Sequence, residues 1–280
     1  MAQSHDIQLT EPRAVQRSHW WREVLIVASF YGLYTLVRDL RGDKPVSVHH
    51  AFLNARRTIR WERWVGMFHE RDLQHAVISQ RWLIQLCDDY YGSFHFVVTV
   101  GVLLLMFFWF PTTYRKWRNV LALTTGLALI GFYFFPLMPP RLLPQGYGFV
   151  DTLQSIGGLW NFSNGPVNDV SNQYAAMPSL HTAWSLWCSL ALSRVIRPLW
   201  ARIAVFAYPA FTVFSIVVTG NHFFADAVAG VALVLVSISV AVPVTRALDR
   251  RARRREAAHR HPPAADTASA ALGTAPTGVK

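Results

Sequence analysis

Cysteine is nearly absent, with only Cys87 and Cys188 in 280 residues. Two cysteines, one inside an apolar stretch, make neither a disulfide framework nor a thiolate metal motif. Charge is scarce too. Charged residues are 15% of the chain, against about a quarter in a soluble domain. Acidic residues are the rarer sign, 16 against 27 Lys and Arg, leaving a net charge of +11. No internal repeat is visible. No small-x-small cleavage site follows the first apolar stretch, so that stretch reads as a retained helix and not a signal peptide, although Arg17 and Arg22 precede it. What is abundant is apolar and aromatic bulk, 52% hydrophobic with Trp 11 and Phe 18. That balance describes a membrane protein. The positive charge is concentrated at the chain ends and in 38–81. It reads as a positive-inside bias with headgroup contacts, not as a nucleic-acid surface.

A helix spans a bilayer with about 20 apolar residues. Six stretches reach or approach this: 22–37, 92–110, 120–137, 182–196, 201–219 and 223–244. The first and fourth are short. Pro198 and Pro243 fall near helix ends. The basic residues set the orientation. Arg115, Lys116 and Arg118, then Arg194, Arg197 and Arg202, then Arg246 and the cluster 250–255 belong on the cytoplasmic side. The connection 138–178 carries only Arg141 and the turn 220–222 carries no basic residue, so both belong outside. Segment 38–91 conflicts, since it should lie outside yet holds Arg56, Arg57, Arg60, Arg63, Arg71 and Arg81 with Trp61, Trp64 and Phe68 among them. It is expected to form an amphipathic helix, about 53–85, lying on the membrane surface. The expected fold is therefore all-α: an integral membrane six-helix bundle with an interfacial helical segment. Three regions follow: a cytoplasmic N-terminal segment 1–21, a membrane-embedded domain 22–245, and a basic, disordered cytoplasmic tail 246–280 that can hold anionic lipid. Both termini are expected inside and the protein in the plasma membrane.

Two histidines sit where apolar helices begin, in Met177-Pro178-Ser179-Leu180-His181 and in Gly220-Asn221-His222-Phe223-Phe224-Ala225-Asp226. One apolar segment separates the two helices. If it crosses the membrane, both helices run the same way and both histidines lie at one face. A helix N-terminus offers free N–H groups and a positive dipole end, which favours phosphate. His222 and Asp226 are four apart and share a helix face. The carboxylate can accept Nδ1–H and leave Nε2 as nucleophile or base. An Asp in an apolar segment costs roughly 2.5–3.5 kcal/mol on insertion scales and marks a functional site by default. Gly220 lets a phosphate approach, and Ser179 can bind phosphate or cap its helix.

Arg141, after Pro139-Pro140, falls at the same face and suits a bidentate clamp on phosphate oxygens. His95, Tyr91 and Asn221 are possible pocket-lining residues there, and Tyr90 and Tyr91 also fit an aromatic belt. The connection 142–176 is long and glycine-rich, as a lid would be. Zinc on His181, His222 and Asp226 is the competing reading, but no Cys or Glu-His cluster completes a site, so no metal and no cofactor are expected. A haem pair would need histidines facing each other inside the bundle. A transporter with a His–Asp proton relay would place these groups near the midplane instead of at helix ends. A non-catalytic lipid-binding or scaffold protein is the alternative of another class.

At these residues the chain resembles the type 2 phosphatidic acid phosphatase superfamily. It is most similar to the inositolphosphotransferase branch, which includes inositol phosphorylceramide synthase. Pro178-Ser179-Leu180-His181 matches the Pro-Ser-x-His motif, and His222 to Asp226 matches the end of the His-x-x-x-Asp motif. The resemblance covers about 50–245. The Lys-x6-Arg-Pro motif is absent, and Ile216 stands where the third motif usually has Arg. Pro139-Pro140-Arg141 resembles the branch's substitute. The resemblance implies a phosphotransferase or phosphatase without a metal, on a six-helix core with an extracytoplasmic site. It implies His222 as nucleophile oriented by Asp226, His181 as general acid then base, and Arg141 as the charge stabiliser. The donor would be a membrane phospholipid or lipid phosphate. A polyol or lipid hydroxyl acceptor makes a transferase; water makes a polyprenyl or phosphatidate-type lipid phosphatase.

Overall fold

The computed structural model describes residues 47–156 and 173–260, with Trp21, Glu23, Leu25, Ala28, Ser29 and Gly32; of 256–260 it describes the backbone alone. Among these residues every regular element is helical, and the one β-type contact is an isolated bridge between Leu137 and Ala175. The helices are α1 (Val48–Val65), α2 (Glu70–Val77), α3 (Arg81–Trp109), α4 (Pro111–Phe134), α5 (Thr152–Ser155), α6 (Leu180–Leu192), α7 (Leu199–Ala204), α8 (Ala207–Val218) and α9 (Phe224–Arg260).

Three helical stretches are long and apolar enough to cross a membrane: Arg81–Trp109, Leu199–Val218 and Phe224–Arg255. At most a third of each stretch's most apolar window is buried within the protein. The outward faces carry exposed Phe94, Phe96, Val97, Leu104 and Phe108 on α3, and Val228, Val231, Leu235 and Val240 on α9. Apolar surface on that scale belongs against lipid, and the chain is a membrane protein. The other expected spans differ for identifiable reasons. The stretch 22–37 lies mostly outside the described residues. α4 is 24 residues long, but Arg115, Lys116 and Arg118 occupy its first turns. α6 has only 13 residues. At about 1.5 Å per residue that is well short of the roughly 30 Å hydrocarbon core.

α6 packs between α3, α4 and α8. Trp187, fully buried, anchors that packing and donates its indole N–H to Trp117 O at 2.8 Å. Val102, Met106, Tyr114, Val120, Cys188 and Ala191 close around it. A second cluster lies under the site and joins Ala51, Ala55 and Ile59 of α1 to Leu137, Met138, Phe223 and Ala225.

The expected surface helix over 53–85 is instead two helices and the start of a third. Gly66, in the left-handed region at φ 73, ends α1, and Met67 N–H reaches back to Glu62 O at 2.7 Å. This is the Schellman arrangement that glycine favours. α2 follows, and α3 begins at Arg81, eleven residues before the apolar stretch suggests. The inner stripe of α1, Ala51, Ala55, Thr58, Ile59 and Glu62, is buried, while Arg56, Arg57, Arg60, Trp61, Arg63 and Trp64 are exposed. The segment is thus amphipathic as expected, yet its inner face is part of the protein core.

Of the tail 246–280 that was expected to be disordered, 246–260 is helical. α9 runs through Pro243, which lies inside it and not near its end, and continues as helix to Arg260, because Ala and Arg are strong helix formers. Residues 261–280 lie outside the described residues.

α9 and the start of α6 touch through a glycine. A Cβ on Gly230 would lie 2.5 Å from Ser179 O, whereas one on Gly101 would meet nothing within 4 Å. Gly230→Ala is therefore expected to force these helices apart at a cost of about 1–3 kcal/mol. It should lower the Tm of the detergent-solubilised protein, and Gly101→Ala, with open space inside α3, should hold the Tm or raise it.

Candidate active site

The site is built where α6 and α9 begin side by side. Ser179 N–H donates to Asp226 O at 3.0 Å and fixes their relative height. His222 ends the turn that follows α8, its backbone N–H bonded to Ile216 O at 3.0 Å. Its Nδ1 lies 3.1 Å from Asp226 Oδ2, which also accepts Phe223 N–H at 3.0 Å. Both residues are buried. With Nδ1 as donor to the carboxylate, Nε2 is the ring atom left for chemistry.

His181, on the first turn of α6, presents its ring 5.5 Å from that of His222, centroid to centroid. The helix parity read from the sequence anticipated this meeting. Tyr91 stacks on His181 at 4.4 Å and meets His222 edge-on at 6.4 Å. His95, one turn further along α3, lies 4.1 Å from His181. All four rings form one cluster.

Arg141 sits on a 3-10 turn, Pro140–Leu142, reached through the extended Pro139. Its backbone N–H donates to Gly220 O at 2.8 Å, so the turn is tied to the residue two before His222. Nε donates to Asn221 Oδ1 at 2.9 Å and Nη1 to Asp151 Oδ2 at 3.1 Å. Asn221 is itself held through Thr219 Oγ1 at 2.8 Å. Asn221 thus orients the guanidinium. Asp151 was not singled out in the sequence; its neighbour Thr152 places its hydroxyl 3.0 Å from the buried Asp88 Oδ1.

Three expectations change. Gly220, at φ 67, leaves room not for phosphate but for the protein, since a Cβ there would come within 3.3 Å of Gln74 Nε2 and Arg141. Ser179 is fully buried and its oxygen accepts Thr182 N–H, so of its two readings the geometry carries the cap. Pro178 precedes that cap, outside the helix, on a cis peptide bond. Third, the start of α9 is not an open anion site. Phe223 N–H is taken by Asp226, Phe224 N–H by Glu70 Oε1 at 2.9 Å, and Ala225 N–H by Glu62 Oε1 at 2.7 Å. The dipole end attracts anions as expected, and the anions are the protein's own.

Glu62, Glu70 and Gln74 fall in the stretch 53–85 that was expected to lie on the membrane surface. The structure buries all three. Gln74 Nε2 donates to Val150 O at 3.0 Å and Val218 O at 3.1 Å, and its Oε1 accepts Val150 N–H at 2.9 Å. It clips α2 to the end of α8 and to the strand-like stretch before Asp151. Burial, with Glu70 beside it, pushes the Glu62 carboxyl up to about 9; burial likewise raises Glu70.

Of the expected lid, 157–172 lies outside the described residues. The part before it is ordered into two 3-10 turns and α5, with Asp151 capping α5. Among the described residues no group of three or more His, Cys, Asp or Glu side chains is placed to hold a metal ion.

No curated protein and no solved structure matches the chain. A family model described as the PAP2 superfamily matches residues 56–240, well over half of the chain. That range holds Glu62, Glu70, Arg141, His181, His222 and Asp226 together, and the chain belongs to the PAP2 superfamily.

Proposed function

We propose that this protein is a lipid phosphotransferase or phosphatase that works through a phosphohistidine at His222, nearest in character to the inositolphosphotransferase branch. The observation that carries this reading is the meeting of His181 with the His222–Asp226 pair at two adjacent helix starts, with the turn that bears Arg141 tied to Gly220 beside them. In the reaction, His222 Nε2 attacks phosphorus and the bond from phosphorus to the leaving oxygen breaks. Protonated His181 gives its proton to that oxygen. An acceptor hydroxyl then attacks the phosphohistidine, and His181 takes the acceptor's proton, restoring both imidazoles. Asp226 holds the His222 tautomer and steadies the positive ring. Arg141 stabilises the charge on the equatorial oxygens.

In this reading the chemistry lies at a membrane surface, at the extracytoplasmic face of the plasma membrane, with both termini cytoplasmic. The exposed Arg56, Arg57, Arg60 and Arg63, interleaved with Trp61 and Trp64, suit the headgroup layer at that same surface. They then serve as lipid contacts and not as cytoplasmic anchors, which removes the conflict in the charge pattern. The helical arginine cluster after Arg246 is the second site for anionic lipid, on the cytoplasmic side.

Purified protein supplied with lipid phosphates and phospholipids, with and without inositol or lipid alcohols, tests the reading. A donor carrying a chiral phosphate should give product with net retention, because two in-line displacements each invert phosphorus. Inversion would rule out the phosphohistidine. Transfer to the alcohol identifies a transferase, and free phosphate alone a lipid phosphatase. Chelator should leave turnover unchanged; loss in chelator with recovery in zinc would favour the metal reading.

A further inference from the structure

The first turn of α9 is held by three carboxylates on three successive N–H groups, those of Phe223, Phe224 and Ala225. Helix starts ordinarily leave such groups to one cap or to water. Here Asp226 takes the first, Glu70 from α2 the second and Glu62 from α1 the third. Both glutamates are fully buried, and each has an Oε2 with no donor among the described residues. Their Oε1 atoms sit on the successive amides of Phe224 and Ala225, which brings the two carboxyl groups side by side. Ionised carboxylates are acceptors only, so such a pair needs a proton between its members. The charged groups that bear on the pair are each glutamate on the other and Asp226 from α9, all acidic.

We propose that Glu62 and Glu70 share one proton and act as positioning residues that hold the His222–Asp226 pair in working register. The proposal rests on the catalytic reading of His222 given above. The lever arm is short. Phe224 and Ala225 are the two residues before Asp226, and Asp226 Oδ2 is shared between Phe223 N–H and His222 Nδ1. A turn released from the glutamates moves the carboxylate that fixes the imidazole. Losing the shared proton sets two negative charges against each other in a buried place, so the turn comes free. The sign follows from linkage. The folded chain keeps a proton that the unfolded chain releases in the ordinary carboxylate range. This contribution to stability is therefore present in acid and is lost as pH rises through the raised value of Glu62.

The test uses the full chain in lipid nanodiscs. Glu62→Gln keeps an oxygen for Ala225 N–H and offers an NH2 to Glu70, imitating the protonated pair at every pH. Its kcat at neutral pH should stay near wild type, and the alkaline fall in kcat should move to higher pH or vanish. Glu62→Ala should lower kcat on the order of 10²-fold, the usual scale for a misplaced catalytic group, with KM little changed. Hydrogen exchange at the amides of 223–225 reads the device without turnover: faster in Glu62→Ala, and in wild type faster than the intrinsic rate predicts as pH rises above neutral. An unshifted alkaline limb in Glu62→Gln would overturn the shared proton. Wild-type kcat, or wild-type amide protection, in folded Glu62→Ala would overturn the positioning role. If wild type turns over no lipid phosphate, the catalytic reading fails by itself, and amide protection alone decides the positioning claim.

Discussion

His222→Ala is expected to abolish turnover and any phosphoenzyme while leaving the fold in place. The loss should be on the order of 10⁴-fold or more, as when the nucleophile of a cooperating group is removed. The fold should survive because Asp226 Oδ2 keeps its bond from Phe223 N–H at 3.0 Å, and the α9 start stays pinned by Glu62 and Glu70. Taking one partner from the buried Asp226 carboxylate costs about 1–3 kcal/mol. Acid-labile label from a radioactive donor should appear on wild type, trapped by rapid denaturation, and not on the variant. His181→Ala separates the roles. It should still acquire label from a donor with a good leaving group, because attack needs only His222, while donors with alkoxide leaving groups should react poorly. Label retained by His222→Ala would end the assignment.

The residues proposed for this chemistry could be grouped from the sequence for a reason that has little to do with packing. His181 and His222 each open an apolar helix, and counting one segment between them puts both at one end. Arg141 followed by the same count. Asp226 followed from the four-residue spacing. What the sequence concealed is what long-range contacts decide. Glu62 and Glu70 lie in a stretch rich in arginine and tryptophan, which reads as surface, yet each is satisfied by a backbone N–H more than 150 residues away. One local signal did exist. Ala51, Ala55, Thr58, Ile59 and Glu62 share a helical stripe of small and apolar residues opposite the arginines, and a carboxylate on that stripe points inward. The early start of α3 was hidden for a related reason. Asp88 and Asp89 interrupt the apolar run, but Asp88 is buried against the Thr152 hydroxyl and costs the helix nothing in continuity. The helix-end argument expected phosphate at the start of α9, and there the protein's own carboxyl groups take the free amides.

The second large effect concerns Asp226, where two substitutions should differ by orders of magnitude. Asp226→Ala removes the acceptor of His222 Nδ1 and the cap of Phe223 together. The imidazole is then free in rotation and tautomer, and kcat should fall on the order of 10⁴-fold, as when a triad loses its aspartate. Asp226→Asn is not the same experiment. In a serine-protease triad, asparagine at this place drops kcat about 10⁴-fold because its NH2 group imposes the wrong tautomer. Here Phe223 N–H points at the very oxygen that meets His222. An NH2 group there would set donor against donor, so the amide must present its oxygen. The correct tautomer is kept and only the negative charge is lost. A charge-assisted hydrogen bond is roughly twice as strong as a neutral one, so the loss in kcat should be nearer 10² than 10⁴. The NH2 group then replaces Asp226 Oδ1, which is buried and has no donor, so some thermal stability is lost as well. Steady-state kinetics of both variants, with imidazole nitrogen chemical shifts to read the His222 tautomer, decide the matter. A 10⁴-fold loss in Asp226→Asn with the proton moved to Nε2 would show that the Phe223 amide does not govern the flip.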